Sequence, residues 1–329
     1  KIIMSRHIIY AISKIGIMAA IIMACLFTPS AYAQDTAKLS EEITIVEETP
    51  VLNSGNTAWL IVATILVLLM SIPGIALFYG GLVRQKNILS IIMQTLLIVG
   101  VVSILWVAFG YSWAFGTSFM ESGNPLGAII GGFDKAFLHG ITINTLTTGD
   151  IPELTFVMFQ CMFAIITPAL ILGAFAERIK FSGYMVFIIL WVILAYFPMA
   201  HWVWGGGFLQ QMGAIDFAGG TVVKPKFKYD DALDAFGVHG IGGIVGSILT
   251  GVFATQYITG EGGVEGALYG DWHQLWVQIV ATVVSILFSA VITFVLYKMV
   301  DSLIGIRVDR RVEEEGLDIY EHGESAYNS

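Results

Sequence analysis

The sequence predicts an all-α polytopic membrane protein with about six transmembrane helices. Three observations lead there. Of the 329 residues, 56% are hydrophobic and only 12% are charged, where a soluble domain carries about a quarter charged residues. Six runs are apolar over about the 20 residues that a membrane helix needs. Basic residues gather in connections between these runs, the bias that orients helices in a bilayer.

The chain opens with a segment expected to be a secretion signal over residues 1–33. Lys1, Arg6 and Lys14 form a basic start, Ile15 to Leu26 an apolar stretch, and Ala31-Tyr32-Ala33 supplies small residues at the cleavage spacing. A mature start at Gln34 follows, with a periplasmic extension at 34–56; the alternative is an uncleaved first helix. The net charge of −9 sits largely in residues 35–48 and in the tail after Asp309. Both are solvated segments flanking an uncharged interior, which argues against nucleic acid as a partner. Of the two cysteines, Cys25 would leave with the signal and Cys161 lies in an apolar run. One thiol makes neither a disulfide nor a thiolate metal site.

The six expected spans are 57–82, 88–116, 154–176, 181–206, 237–256 and 274–300. Strands are not needed, because an isolated strand cannot satisfy its backbone in lipid. A polar loop rich in Gly and Thr occupies 117–153. One membrane domain over 57–305 is expected, followed by a soluble tail at 306–329. Arg84 and Lys86 after the first span, and Arg178 and Lys180 after the third, read as cytoplasmic. The tail, opening with Arg307, Arg310 and Arg311, reads as cytoplasmic too. The fourth span then ends outside, while Lys224, Lys226 and Lys228 before the fifth belong inside. The two halves are each consistent, yet one crossing is missing between Gly206 and Gly237. Ala214 to Val223 is far too short to supply it.

Several residues stand out chemically. Helix five contains His239 among five glycines, including Gly242 and Gly246 at the spacing that lets helices approach. An ionisable group inside a span is expensive and is by default a functional candidate; the plainer reading is a core histidine bonded to a neighbouring carbonyl. Asp234, just before this helix, reads as its N-cap. Trp204 ends the fourth span, where tryptophan commonly belongs to the interfacial belt. Phe159 and Phe163 share one helix face. That stripe is either core packing or, with Trp204, a cage holding a small cation against π faces. His139, His201, His273 and His322 carry little weight on their own. Metal spacings such as H-E-x-x-H, phosphate loops and nucleophile–base sets are absent from the sequence, so no enzyme, cofactor or metal is expected.

These stretches together resemble the Amt/Mep/Rh ammonium transporter family, close to its bacterial Amt members. The matching strings are I-P-G-I-A-L-F-Y-G-G-L-V-R-Q-K-N (72–87), G-A-F-A-E-R-I-K-F-S (173–182) and A-H-W-V-W-G-G-G (200–207). They continue with G-A-I-D-F-A-G-G-T-V-V (213–223), Y-D-D-A-L-D-A-F-G-V-H-G-I-G-G-I-V-G (229–246) and E-E-G-L-D-I-Y-E-H-G-E-S-A-Y (314–327). The resemblance implies a truncated version of the family's eleven-helix fold, in an inner membrane, as a homotrimer. It implies an outer recognition tryptophan at Trp204, an outer gate at Phe163, a vestibule aspartate at Asp216 and the second pore histidine at His239. Ammonium, or methylammonium as its analogue, would be the substrate. PII-type nitrogen regulators would clamp the tail from Arg307 to Tyr327, including Gly316, Asp318 and His322.

The family pattern is interrupted near 223–224. Where D-F-A-G-G-T-V-V should run into the first pore histidine, this chain has Lys224. Most of the family's fifth helix and its sixth to ninth are missing, an odd number of spans, as the charge pattern requires. Ammonium transport, impaired in this chain, is therefore expected. The alternative is a non-conducting regulatory or decoy subunit, or the product of an internally deleted gene, that keeps a PII-binding tail.

Overall fold

The computed structural model describes residues 51–147, 150–216, 219, 236–260 and 263–327. The signal, the extension up to residue 50, Lys224 and Asp234 lie outside them. Among the described residues the architecture is helical, with isolated bridges at Leu146–Pro152 and Ile179–Arg307. Among the described residues five helices are long and apolar enough to cross a membrane: Ser54–Leu82, Gln85–Glu121, Glu153–Phe175, Phe181–Gln211 and Trp272–Leu303. The fifth expected span, 237–256, is a shorter apolar helix.

In chain order, α1 is Ser54–Leu82. Helix α2 runs through Ile88–Leu105, Trp106–Gly110 and Tyr111–Phe115. Helix α3 is Glu153–Phe175. Helix α4 runs through Phe181–Trp191, Val192–Tyr196 and Phe197–Trp204. Helix α5 joins the wide turn Phe236–Ile241 to Gly242–Phe253, and α6 is Trp272–Leu303. Between α2 and α3 the polar loop carries short turns at Ser118–Glu121, Pro125–Ala128 and Ala136–Leu138.

The core lies between α2, α3 and α4. In the most apolar stretches of α3 and α4, 72% and 67% of residues are buried, against 22% in α1 and 28% in α6. The first pair is therefore central and the second peripheral. Where Gly173 crosses α1, an added Cβ would stand 2.6 Å from the Tyr79 ring. The Tyr79 hydroxyl there donates to the Leu170 carbonyl at 3.2 Å. Pro168 removes a donor from the middle of α3, and its own carbonyl accepts from the Tyr184 hydroxyl at 3.1 Å.

Helix α5 lies antiparallel against α6. An added Cβ at Gly251 would stand 2.8 Å from Leu275 Cα. Gln278 Nε2 donates to the Ser247 carbonyl at 3.2 Å and to the Ile215 carbonyl at 2.6 Å, while its Oε1 accepts from Ile215 N at 2.9 Å. One amide thus joins α5, α6 and the segment after α4. Asp271 caps α6 by accepting from His273 N and Gln274 N.

After α6 the tail folds back over the bundle as α7 (Arg310–Glu315) and α8 (Leu317–His322). The first amides of α2 have no partner within their own helix. Asp318, buried at 1% exposure, supplies one: its carboxylate accepts from Leu89 N at 3.0 Å and Ser90 N at 2.8 Å. Asn87 accepts from Leu317 N at 2.8 Å and donates to Glu177 at 2.7 Å. Arg84 bonds Glu177 through its backbone and guanidinium, and donates to the Glu313 carbonyl at 2.8 Å. Lys86 donates to the Glu314 carbonyl. Gly316, at φ +113, turns between α7 and α8 against the Lys86 side chain. Lys180 N donates to the Ile306 carbonyl and Val308 N to the Arg178 carbonyl. The two basic connections and the tail therefore occupy one end of the bundle, as their shared charge predicts. Burial alone would raise the Glu177 carboxyl, but the Arg84 amide, the Asn87 amide and the Arg84 guanidinium together hold it below the usual glutamate range. Its ionised form is the one this end of the bundle binds. The stability it adds is present above the usual glutamate range and is lost only as pH falls through its lowered value.

Asp318→Ala is expected to cost about 0.5–2 kcal/mol, the range for removing a helix cap. Limited proteolysis in detergent should then clip the tail several-fold faster, with Asp318→Asn in between. An unchanged clipping rate would mean that the cap does not hold the tail.

Candidate functional site

The opposite end of the bundle carries an aromatic group. Phe159 and Phe163, one turn apart on α3, meet edge to face with ring centres 5.1 Å apart. Phe163 meets Trp204, the last residue of α4, at 6.4 Å and 61°. All three rings are half-buried and pack against the core. Phe163 and Trp204, expected to be near one another, are thus adjacent, with Phe159 against Phe163.

What seats Trp204 is a collar of backbone contacts. Gly205 passes so close to α2 that an added Cβ would stand 1.7 Å from the Ala114 carbonyl oxygen, so no side chain fits there. His201, one turn before Trp204, is fully buried. Its Nδ1 lies 3.0 Å from the Ala114 carbonyl and its Nε2 2.8 Å from the Gly127 carbonyl. A neutral ring donates to one of these oxygens; only the doubly protonated ring donates to both. The His201 carbonyl accepts from Gly205 N and Gly207 N at 3.0 and 2.9 Å. Trp202 Nε1 donates to the Ile129 carbonyl at 3.1 Å. The loop between α2 and α3 is thereby stitched to the end of α4.

Near this end, Lys135 pairs with Glu153 at 2.6 Å, and the Tyr111 hydroxyl donates to the same carboxylate at 2.7 Å. Asp216, half-buried, follows the Ile215–Gln278 joint. His239 is half-buried on a different element, in the wide turn that opens α5. Of the tail residues, Asp318 is buried and Tyr327 is exposed. Arg307 pairs with Glu313 at 2.6 Å, and the His322 ring meets Phe181 edge-on at 5.2 Å. Among the described residues, no group of three or more His, Cys, Asp or Glu side chains is placed to hold a metal ion.

The sequence gives His201 little weight and nothing to single out Gln278. The signal for the first was present: a histidine inside an apolar helix, one turn from Trp204. A buried imidazole in such a place needs carbonyl partners.

The fold is that of a polytopic helical membrane protein. The Ammonium Transporter Family model matches residues 58–224 and 222–327, nearly all of the chain beyond its first 57 residues. The ammonium transporter of Bacillus subtilis is 32% identical over 407 aligned positions, covering 83% of this chain and 98% of that protein. The ammonium transporter of Aquifex aeolicus is 32% identical over 410 positions, covering 84% and 94%. Among solved structures, Mep2 of Candida albicans aligns with a TM-score of 0.66 at 20% identity, covering 79% of this chain and 87% of that one. A sensor Amt protein aligns at 0.69 with 18% identity, covering 81% and 98%. The chain belongs to the ammonium transporter family. It is also internally short. An alignment of 407 positions that uses 83% of 329 residues leaves about 130 positions opposite a gap, enough at ~20 residues each for about five spans with their connections.

His201→Leu should remove the hydrogen bond that the buried ring donates to the Ala114 or the Gly127 carbonyl, at ~1–3 kcal/mol for a group left unpaired. Thermal unfolding in detergent, followed by tryptophan fluorescence, should shift down by about 2–4 °C per kcal/mol. His201→Gln, which keeps a donor, should recover part of the loss.

Proposed function

We propose that the chain serves the movement of ammonium across an inner membrane, and that alone it conducts far more slowly than its full-length relatives. The observation that supports recruitment is the half-buried Phe163–Trp204 pair at the end of the bundle opposite the tail. Its π faces attract a small cation by their quadrupole, and partial desolvation strengthens that attraction. Asp216 follows on the segment after α4, where a carboxylate holds the cation; the cation gives up its proton to water there, the proton travels separately, and neutral ammonia enters the apolar path. Neutral ammonia then passes His239, because a neutral molecule forfeits only hydrogen bonds whereas an ion forfeits its whole solvation. Imidazole and π faces also fail to replace the hydration shell that potassium would shed, as rings of carbonyls do.

The slow rate follows from what is missing. Lys224 stands where the resemblance puts the first pore histidine, and the gap of about 130 positions removes about five spans. Part of the pore wall goes with them, and the first gate loses its partner. In this orientation the N-terminus is periplasmic and the docked tail cytoplasmic, with Arg84, Lys86, Arg178 and Lys180 beside it. The tail from Arg307 to Tyr327 is the landing place for a PII-type regulator, and the family's trimer is the expected assembly. The docked tail combined with the gap favours a second reading: a non-conducting regulatory or decoy subunit, made by an internally deleted gene, that retains the regulator's binding surface.

Uptake of methylammonium in a strain without other transporters separates these readings. The chain is expected to reach less than about a tenth of a full-length relative's rate, which a barrier higher by only ~1.4 kcal/mol produces. Trp204→Leu should lower whatever uptake remains. Robust uptake by the wild-type chain would refute the impairment. Capture of a PII-type protein by the whole chain supports the regulatory reading, and no capture under any nucleotide condition removes it.

A further inference from the structure

Helix α5 has two unlike faces. Ser247 and Gly251 are buried against α6, and Gly251 lies directly on Leu275. The other face holds Ile241, Val245, Leu249 and Phe253, exposed by 52%, 48%, 44% and 54%, at a strict four-residue spacing. Gly242 and Gly246 lie on that same face, and among the described residues nothing stands within 4 Å of where their Cβ atoms would be. Tyr79 occupies the notch at Gly173 and Leu275 the one at Gly251, while Gly81 of α1 and Gly100 of α2 are open as single positions; α5 carries two open glycines one turn apart. Towards its end the open face runs into a groove of about 340 Å³ whose lining includes Gly246, Leu249, Thr250, Phe253 and Ile258.

Lipid is a poor match for this face. The exposed faces of α1 and α6 present bulky side chains, among them Trp59, Ile65, Leu287 and Phe294. Paired glycines in a span serve instead to admit a second helix backbone, because close packing and not hydrophobicity drives association inside a bilayer. The position of the face in the chain says which helix. The second match to the family model begins at residue 222, immediately after the gap, and α5 is the first described helix of that match. The open face is thus the one next in sequence to the missing positions.

We propose that this face of α5 is a docking surface for a separate polypeptide supplying the apolar helices that relatives carry opposite the gap, so that two chains together complete the bundle. The partner is a helical membrane polypeptide of about five spans, presenting a close-packing helix to Gly242 and Gly246. The proposal stands whether or not either chain transports, because its test reads association.

The whole chain, affinity-tagged, is co-expressed with the segment of the Bacillus subtilis ammonium transporter that lies opposite the gap, bearing a second tag. Membrane insertion of the segment is checked first through that tag. Stoichiometric co-purification is expected, and the double variant Gly242→Leu/Gly246→Leu should lower recovery by about tenfold or more. Open space at both glycines leaves the variant's own bundle undisturbed, which an unchanged elution volume verifies. Leu287→Ala, on the lipid-facing side of α6, should leave recovery unchanged. The proposal is overturned if an inserted segment is not recovered, or if the glycine variant recovers it equally well. Disulfide-linked homodimers through Gly246→Cys would also overturn it, since they assign the face to a second copy of this chain.

Discussion

A span in lipid can leave none of its backbone donors unsatisfied, and the first turn of α2 cannot satisfy its own. Its amides at Leu89 and Ser90 are answered by Asp318, a carboxylate 228 residues later in the chain than Ser90. Anionic charge suits a helix N-terminus, so the cap adds favourable electrostatics to two hydrogen bonds. Because Asp318 sits on a short helix that follows α6, this contact also fixes where α6 ends. Asn87 and Glu177 extend the joint to the connection between α3 and α4. The three connections at this end are bound to one another, and the basic residues they carry face the same side.

That joint was only partly legible in the sequence. Charge showed that Arg84, Arg178 and Arg307 share a side, because orientation in a bilayer depends on charge alone. The spans were legible because twenty apolar residues in a row have few other fates. Capping by Asp318 was not, since a cap normally lies within a few residues of its helix, and this one depends on tertiary folding. Asn87, the residue in the usual cap position, spends its side chain on Leu317 and Glu177 instead. The fifth span, expected to run to 256, ends at Phe253, because Thr255 accepts from Tyr257 N and starts a separate turn.

The tryptophan end was legible in its residues and illegible in its support. A Trp and two Phe at helical spacing suggest a π site from chemistry alone. That Trp204 can hold one orientation depends on atoms no spacing reveals: the Ala114 and Gly127 carbonyls on either side of His201, and the bare backbone of Gly205 against α2. A histidine whose two nitrogens both face carbonyl oxygens is a fastener, and its value lies in joining the α2–α3 loop to α4. His239 differs in kind. It is half-buried in a wide helical turn, on the helix whose outward face exposes Ile241, Val245, Leu249 and Phe253.

The geometry of α5 also bears on how many spans are missing. Helix α4 ends at Trp204, at the end of the bundle away from the tail. Ile215 is still near that end, because it bonds Gln278, two turns into α6. Helix α6 leads down to the docked tail, and α5 lies antiparallel to it, with Ser247 beside Gln278 and Gly251 on Leu275. The turn at Phe236 therefore lies towards the tail end, about 27 Å from Phe253 at 1.5 Å per residue. A chain that leaves α4 at one end and enters α5 at the other must cross an odd number of times between them. The charges at Arg178 and Lys224 require the same parity, and so does a gap sized for five spans. Hydrogen bonding, charge and alignment length thus converge on one architecture: two outer parts of a family bundle that share a tail-side face, and between them a helix that bears His239 and an exposed apolar face.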